Sequence, residues 1–324
     1  MDFSGISHQI KTTASQAKNI LVIAHRQPDA DALGSMVAIG DYLTQLGVSH
    51  TKFCVDQPQD NLRWLVDFEP IVTDPAFVLE QYYDAVFVLD SGDLKYAGVD
   101  KIVPQLLNKP VVINIDHHIT NQLFGDINLV DPTEVSTTVI LYKLFKTLRV
   151  TISPKIASAM LAGIIFDTYN FTNPNTNQTA LTTAANLLSA GASLPQVSDS
   201  LLKTKTVEAL RVWGKILTRL VYNAELGIAA TVVPLEEASQ AGVNRAEVAE
   251  GVANFLNNLS GVKAALILQE QEDGTVKGSF RTNEDDVDVS ELAKLFGGGG
   301  HKKAAGFRVK GRLAQDPQGN WQVV

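Results

Sequence analysis

The segment Val111-Val112-Ile113-Asn114-Ile115-Asp116-His117-His118 joins a short apolar run to three polar residues. An apolar run of this length is typical of a strand that is buried on both faces of a parallel sheet. Carboxylate and imidazole groups are good ligands for divalent metal ions. The segment therefore predicts a buried strand with a metal site at its carboxyl end.

Other apolar runs in the chain also end beside acidic or imidazole side chains. The residues concerned are His25, Asp29 and Asp31 after Asn19–Ala24, Asp90 after Ala85–Leu89, and Asp167 after Ala162–Phe166. Four clusters of one chemical type, far apart in sequence, predict that the fold gathers them in one cavity.

The order of the apolar runs predicts an α/β fold with a doubly wound parallel sheet. Between the run at Asn19–Ala24 and a further strand at Thr51–Val55, apolar residues from Leu33 to Leu46 recur at helical spacing, and Gly47 follows them. Crossover connections place the carboxyl ends of all parallel strands at one edge of the sheet, where ligands bind in open α/β folds. His25, Asp90 and Asp116 are expected there.

A chain of 324 residues is long enough for two domains. We predict a catalytic metal-binding domain at 1–191, a helical linker at 192–221 and a smaller α/β domain at 222–324. In the second domain, Asp273-Gly274 suits a tight turn between strands Ala264–Gln269 and Thr275–Arg281.

Composition excludes several classes of function. The net charge of −8 and the pI near 5.3 argue against binding of long duplex nucleic acid, which needs many Lys and Arg side chains. Cys54 is the only cysteine, so neither an intrachain disulfide nor a thiolate zinc site can form, and we expect a buried structural thiol. The sequence shows neither a signal peptide nor an apolar stretch that predicts a membrane span, so a cytoplasmic protein is expected.

The candidate ligands supply only oxygen and nitrogen atoms. They are His25, Asp29, Asp31, Asp90, His117 and Asp167. This set favours Mn²⁺, Mg²⁺ or Fe²⁺ over structural zinc. Six ligands are too many for one catalytic ion with open positions, so we predict two ions about 3.5–4 Å apart. We also expect Asp29 and Asp31 to face one cavity, because residues two apart in an extended segment point the same way. Taken singly, each Asp could instead be a helix cap or a turn residue.

Four motifs together resemble the DHH–DHHA1 phosphoesterases, in particular the stand-alone nano-RNase and pAp-phosphatase type. They are His25-Arg26-Gln27-Pro28-Asp29-Ala30-Asp31-Ala32-Leu33-Gly34-Ser35, Asp90-Ser91-Gly92-Asp93, Asp116-His117-His118 and Gly163-Ile164-Ile165-Phe166-Asp167-Thr168. The resemblance implies that His25 and Asp29 bind one Mn²⁺, that Asp31, His117 and Asp167 bind the other, and that Asp90 bridges them. It places His118 at the phosphate, to orient or protonate a phosphate oxygen or the leaving group. We assign Asp116 to orienting an imidazole; a simple hydrogen-bonding role in the loop is the alternative for His118.

The glycine-rich segment Gly297-Gly298-Gly299-Gly300-His301 and the upstream Arg281 resemble the DHHA1 substrate-binding module. Backbone N–H groups of Gly298, Gly299 and Gly300 could approach a phosphate closely, and Arg281 could bind two phosphate oxygens. His301 completes the predicted substrate-binding set. The alternative is that the first glycine only ends the preceding helix.

These patterns predict a manganese-dependent phosphohydrolase of short nucleotides, with two Mn²⁺ ions, or Mg²⁺ or Fe²⁺ in their place. The expected substrates are short oligoribonucleotides, cleaved to 5′-mononucleotides, and pAp, which would lose its 3′-phosphate. A phosphodiesterase of cyclic dinucleotides or linear pApA is an alternative, as is a non-catalytic nucleic-acid-binding protein. A homodimer is also open. Val139, Phe166 and Tyr169 depart from the family pattern and are expected near the cavity.

Overall fold

The computed structural model describes residues 2–66, 70–202, 206–236, 245–257 and 259–324. Contacts divide the chain into two compact units, Met1–Thr204 and Lys205–Val324. The predicted boundaries at 191 and 221 stay predictions. Across the described ranges, every helix is too short or too polar to cross a bilayer.

The first unit alternates strands and helices along the chain. Its elements are α1 (Phe3–Gln16), β1 (Asn19–Ala24), α2 (Ala30–Gln45), β2 (Ser49–Phe53), α3 (Pro75–Leu79), β3 (Ala85–Leu89), α4 (Leu94–Ala97), β4 (Val111–Asp116), β5 (Ile127–Val130), α5 (Thr137–Leu148), α6 (Pro154–Asp167), α7 (Gln178–Ser189) and α8 (Leu194–Leu202). Short 3₁₀ turns cover Asp60–Leu65 and Val103–Gln105.

The five strands form one sheet in the order β2-β1-β3-β4-β5, and all neighbours are parallel. This confirms the predicted parallel sheet and aligns the carboxyl ends of the strands at one edge. The predicted strand at Thr51–Val55 is found two residues earlier, as Ser49–Phe53. Strand β5 was not predicted, because its sequence, Ile-Asn-Leu-Val, is only four residues long.

Both faces of the sheet are covered, as expected for a doubly wound fold. Alternate side chains of the strands, such as Val22 and Phe87, pack in one core with residues of α1, α2, α5, α6 and α7. The intervening side chains, such as Ile23 and Val88, pack in a second core with residues of α3 and α4. The central strands β1 and β3 are therefore apolar on both faces and do not alternate, whereas the edge strand β2 is mostly polar.

The loop after β1 leads directly into α2 and corrects one prediction. Asp29 is the N-cap of α2, and its carboxylate accepts hydrogen bonds from the N–H groups of Asp31 and Ala32. Asp31 therefore lies in the first helical turn. The expectation of an extended Asp29–Asp31 segment was wrong, because the capping Asp begins the helix at the next residue. The carboxylate of Asp29 therefore belongs to an extended capping residue, and that of Asp31 belongs to a helical residue.

The second unit holds a six-stranded sheet with helices packed against it. Its elements are α9 (Val207–Thr218), β6 (Val221–Asn223), β7 (Ile228–Val233), α10 (Arg245–Leu256), β8 (Ala264–Glu270), β9 (Thr275–Arg281), α11 (Val289–Lys294), β10 (Gly299–His301), β11 (Ala304–Lys310), β12 (Leu313–Gln315) and β13 (Trp321–Val323). The order is β10-β11-β9-β8-β7-β6, and β12 pairs with β13 separately. The predicted hairpin of β8 and β9 is confirmed, with Gly274 at φ +74° in its turn.

Candidate active site

The predicted metal ligands of the first unit meet at the carboxyl edge of its sheet. His25 follows β1, Asp90 follows β3, and Asp116 ends β4. Asp90 has a left-handed backbone with φ +54°, and its N–H donates to the carbonyl of Ile115 in β4. A non-glycine residue in this conformation is strained, and such strain is concentrated at functional sites.

Asp90 lies between two groups of side chains. Its Oδ2 is 3.6 Å from His25 Nε2, and its Oδ1 is 3.5 Å from His117 Nε2. His25, Asp29 and Asp90 form one group of potential ligands, whose atoms lie within 4.8 Å of one another. Asp31, His117 and Asp167 form a second such group. The structure thus brings all six predicted metal ligands together.

The distances within these groups are longer than hydrogen bonds. His25 Nε2 is 3.6 Å from Asp29 Oδ2, and His117 Nε2 is 3.5 Å from Asp167 Oδ2, beyond the usual range of about 2.7–3.2 Å. Asp167 Oδ2 is buried and accepts no hydrogen bond in the described part of the chain. Buried oxygens without donors are costly, so this donor set fits a cation that several of its atoms would share.

Like charges crowd the same space. Burial, together with the charge of Asp90, raises the pKa of Asp31 to about 7. Burial, with the charges of Asp31 and Asp90, also raises the pKa of Asp167 well above its ordinary value. Burial opposes the charge on His25, but its contacts with Asp29 and Asp90 outweigh burial and raise its pKa to about 12. Divalent cations would remove the repulsion between these carboxylates.

The N-terminus of α5 fixes two of the carboxylates. Asp31 accepts hydrogen bonds from the N–H of Thr137 at 2.7 Å, and from the N–H and hydroxyl of Thr138 at 3.0 and 2.6 Å. The hydroxyl of Thr137 donates to Asp90 Oδ1 at 2.9 Å. All four side chains are buried. A helix N-terminus stabilises negative charge, so α5 holds Asp31 and Asp90 in place.

Asp116 holds the imidazole of His118. Its Oδ1 is 2.7 Å from His118 Nδ1, and its Oδ2 accepts a hydrogen bond from Asn121 at 2.6 Å. Asp116 is fully buried, whereas His118 is partly exposed. The hydrogen bond that His118 Nδ1 donates to Asp116 raises the pKa of His118 to about 9, although burial opposes this. This shift favours the protonated form of the His118 imidazole, whose Nδ1 faces Asp116.

A cavity of about 570 Å³ opens onto the two ligand groups. The predicted ligands His25, Asp29, Asp90, His117 and Asp167 line it, as does His118. Two loops, which include Glu134 and Thr176, form another part of its wall. This volume lies within the range of small-molecule sites.

The chain matches the family model described as the DHH family, N-terminal domain, over residues 19–164, and the DHHA1 domain model over residues 227–317. It is 31% identical to the bifunctional oligoribonuclease and PAP phosphatase NrnA of Thermus thermophilus, over 90% of this chain and 84% of the relative.

The chain belongs to the DHH family.

Two further comparisons agree with this assignment. The protein of the same name from Bacillus subtilis is 25% identical over 92% of this chain and 91% of its own length. The crystal structure of an exopolyphosphatase-related protein from Bacteroides fragilis has a TM-score of 0.82 at 23% identity, and covers 94% of this chain and 90% of that one; it shows a shared fold. As a DHH protein the chain is a hydrolase of phosphoester bonds. Enzymes of this family depend on a metal, and the cluster described above is the candidate site.

The predicted substrate-binding residues of the DHHA1 domain lie on neighbouring strands. Ala304 of β11 pairs with both His301 of β10 and Arg281 of β9. Paired residues point to the same face of a sheet, so Arg281 and His301 share a face, about 10 Å apart across two strand spacings.

At most positions of this segment, the backbone conformation or the lack of space for a Cβ requires glycine. Gly297 has φ +72° just after α11, which agrees with a helix end. A Cβ at Gly298 would be 2.2 Å from the carbonyl oxygen of Gly306, and one at Gly300 would be 2.6 Å from that of Ala304. Gly297 and Gly299 have open space around them, and of these two only Gly299 lacks a left-handed backbone. A role in substrate binding therefore stays a prediction for Gly298, Gly299 and Gly300.

Sequence reasoning missed the groups that position the predicted ligands. Thr137 and Thr138 carry no recognisable metal chemistry, and Asn121 lies in a polar loop. The one available signal was the Ser136-Thr137-Thr138 run at the start of a helix. Of the departures from the family pattern, Val139 is fully buried in the core, whereas Phe166 and Tyr169 flank Asp167 and Thr168, which line the cavity.

Proposed function

We propose that this DHH enzyme hydrolyses short oligoribonucleotides to 5′-mononucleotides and removes the 3′-phosphate of pAp, with two divalent metal ions. The position of Asp90 carries the proposal. One of its oxygens approaches each of two ligand groups, at 3.6 Å from His25 and 3.5 Å from His117. A shared carboxylate of this kind is typical of two-metal phosphoesterases.

In this proposal His25 and Asp29 hold one ion, and Asp31, His117 and Asp167 hold the other. Asp90 serves both. The oxygen and nitrogen ligands favour Mn²⁺, with Mg²⁺ and Fe²⁺ as alternatives. When bound, such ions activate a water molecule and neutralise negative charge on the phosphate. The backbone carbonyl of Glu134 contacts the His117 imidazole, an arrangement that fixes the orientation of a metal-binding ring.

His118 supplies the acid in this scheme. Its imidazolium lines the cavity beside the ligand groups, and Asp116 accepts the hydrogen bond of Nδ1 at 2.7 Å. The Nε2–H can therefore donate to a phosphate oxygen or to the departing hydroxyl oxygen. Asp116 is a positioning residue: its buried carboxylate keeps the ring oriented and charged. Thr137 and Thr138 do the same for Asp90 and Asp31 through the N-terminus of α5.

The choice of substrate rests on the relatives and on charge. Two relatives that cover nine-tenths of this chain are named for oligoribonuclease and PAP phosphatase activity. The net charge of −8 disfavours long polyanions. We assign Arg281, Gly298, Gly299, Gly300 and His301 to binding further phosphates of the substrate. A cytoplasmic location and a homodimer stay predictions.

The test is hydrolysis of labelled di- to pentaribonucleotides and pAp by the purified full-length chain with Mn²⁺. We expect turnover of both substrate types, and a loss of at least about 10³-fold in Asp90→Asn. Asp100→Asn, which changes an exposed Asp of the same domain, is the matched control and should retain wild-type rates. Metal-loaded protein that turns over none of these substrates would refute the proposal.

Two other functions are separated by the same panel. Faster hydrolysis of cyclic di-AMP or linear pApA than of the other nucleotides would favour the dinucleotide phosphodiesterase. Nucleotide binding without turnover, in protein that holds its metal ions, would favour the non-catalytic binding protein.

A further inference from the structure

Glu134 has a carboxylate oxygen that nothing in the described part of the chain binds. The residue is only 8% exposed and lines the catalytic cavity. Its Oε1 accepts a hydrogen bond from Lys143 at 2.9 Å, whereas its Oε2 is buried without a donor. A buried oxygen left in this state is costly, and such atoms are rare in folded proteins. Its place in the cavity wall indicates that a bound molecule supplies the donor.

A second orphaned polar atom lies in the same wall. The Oγ1 of Thr176 is buried and has no hydrogen-bond partner among the described residues, and Thr176 lines the cavity. The side chain of Asn177 donates to the carbonyl of Thr133 at 3.0 Å, which ties the two loops together. We call the side chains of Thr133, Glu134, Asn173, Thr176 and Asn177 the polar wall.

The polar wall is fixed to the residues that carry the metal ligands. The carbonyl of Glu134 contacts the His117 imidazole. The N–H of Asn173 donates to the carbonyl of Thr168 at 2.8 Å, and its side chain donates to that of Asp167 at 3.3 Å. Substrate atoms that reach the polar wall therefore lie close to the reacting phosphate. In a nucleotide the phosphate is attached to the sugar, and the base is attached to the sugar away from the phosphate. The atoms at the wall are therefore those of the sugar.

We propose that the polar wall binds the ribose hydroxyls of the nucleotide whose phosphate reacts, and thereby selects RNA over DNA. This inference rests on the proposed function. The 2′-hydroxyl donates to Glu134 Oε2, and the hydroxyl of Thr176 bonds to a neighbouring oxygen of the sugar. Carboxylates bind ribose hydroxyls in this way in dinucleotide-binding folds, and the 2′-hydroxyl is the group that distinguishes RNA from DNA.

Lys143 reduces the charge repulsion between the Glu134 carboxylate and the phosphates of a substrate. Its ammonium pairs with Glu134 at 2.9 Å and with Asp131 at 3.0 Å. The ion pair occupies one oxygen of Glu134 and offsets its charge, which leaves the other oxygen able to accept a hydrogen bond from a neutral donor. A guanine edge is the competing occupant for a carboxylate, but guanine would lie farther from the metal ligands than the sugar does.

The test compares Glu134→Gln and Thr176→Val with the wild-type full-length chain. The substrates are pApA, its 2′-deoxy form and pGpG, with Mn²⁺, and kcat and KM are measured separately. The matched controls are Glu80→Gln and Thr182→Val, which change exposed side chains of the same domain. Binding of AMP and of 2′-deoxy-AMP, measured by calorimetry, supplies a readout that does not depend on turnover.

We expect the wild type to prefer the ribonucleotide by about 10- to 100-fold in kcat/KM, the range for a hydrogen bond to a charged group. Glu134→Gln should reduce this preference to a few-fold, mainly through a higher KM for pApA, and Thr176→Val should reduce it less. The controls should keep the wild-type ratio. Because Thr176→Val leaves the ion pair of Glu134 intact, it provides the test if Glu134→Gln does not fold.

Unchanged ribose preference in both variants would overturn the inference, as would a preference that follows guanine and not the sugar. Equal binding of AMP and 2′-deoxy-AMP by the wild type would also overturn it. A different result separates it from the proposed function. If the wild type cleaves no nucleotide but binds AMP more tightly than 2′-deoxy-AMP through Glu134, the hydrolysis proposal fails and the ribose site stands.

Discussion

Replacement of Gly163 by Ala should disturb the proposed metal site, because Gly163 packs against the proposed ligand Asp31. A Cβ at this position of α6 would lie 2.3 Å from Asp31 Oδ1 and 2.6 Å from Thr138 Oγ1. To reach even a 3.0 Å separation, these atoms must move by at least about 0.7 and 0.4 Å. Asp31 is held by three hydrogen bonds from α5, so it cannot move alone. The substitution must therefore shift a proposed metal ligand together with the N-terminus of α5.

The expected cost has two parts. Overpacking of a buried site destabilises a fold by about 1–3 kcal/mol, and misplacement of a catalytic group by about 1 Å costs on the order of 100-fold in rate. Urea denaturation and kcat on pApA measure the two effects, and calorimetric titration with Mn²⁺ measures metal affinity.

Gly214→Ala is the matched control for Gly163→Ala. Gly214 also lies within a helix, α9, but a Cβ there meets no atom within 4 Å. Alanine should stabilise the helix by about 0.5–1 kcal/mol and leave activity unchanged. A Gly163→Ala protein with wild-type kcat and Mn²⁺ affinity would refute the proposed role of Asp31.

Three further predictions concern charge and hydrogen bonding. Asp116→Asn removes the contact that raises the pKa of His118 to about 9, so the alkaline limit of the pH–rate profile should move down towards about 6.5; an unmoved limit would argue against His118 as the acid. Thr137→Val removes the 2.9 Å hydrogen bond to Asp90 and should weaken Mn²⁺ binding by about 10- to 100-fold. A Mn²⁺ titration measures this, and unchanged affinity would contradict the prediction. Burial and the charge of Asp90 raise the pKa of Asp31 to about 7. The folded metal-free protein then binds more protons than the unfolded chain, so its free energy of unfolding should fall as pH rises from about 4 to 7. Chelation should accordingly lower Tm more at pH 8 than at pH 5, and an equal drop would contradict this.

The centre of the sheet was predictable because β1 and β3 are buried on both faces. Runs such as Ala85–Leu89 contain only apolar residues, and the structure gives β3 the same bounds. Because ligands bind at the carboxyl edge of such a sheet, the sequence also predicts that His25, Asp90 and Asp116 lie together. Strand β5 was missed because four residues with Asn128 among them give too weak a pattern.

The supporting contacts of the site were not predictable from the sequence. Thr138 is 107 residues away from Asp31, and ordinary threonines show no pattern that would indicate such a hydrogen bond. The orphaned oxygen of Glu134 likewise depends on how two loops pack, which local sequence does not specify. The extended geometry expected from Asp29 to Asp31 failed at Asp31, because Asp29, although itself extended, caps a helix that begins at the next residue.

The central claim is a centre of two metal ions that share Asp90, and the most direct test is a Mn²⁺ titration of the full-length chain followed by electron paramagnetic resonance. We predict two ions per chain, with the magnetic coupling of neighbouring ions, and loss of that coupling in Asp90→Asn. A wild-type chain that binds a single uncoupled ion at saturation would contradict the account.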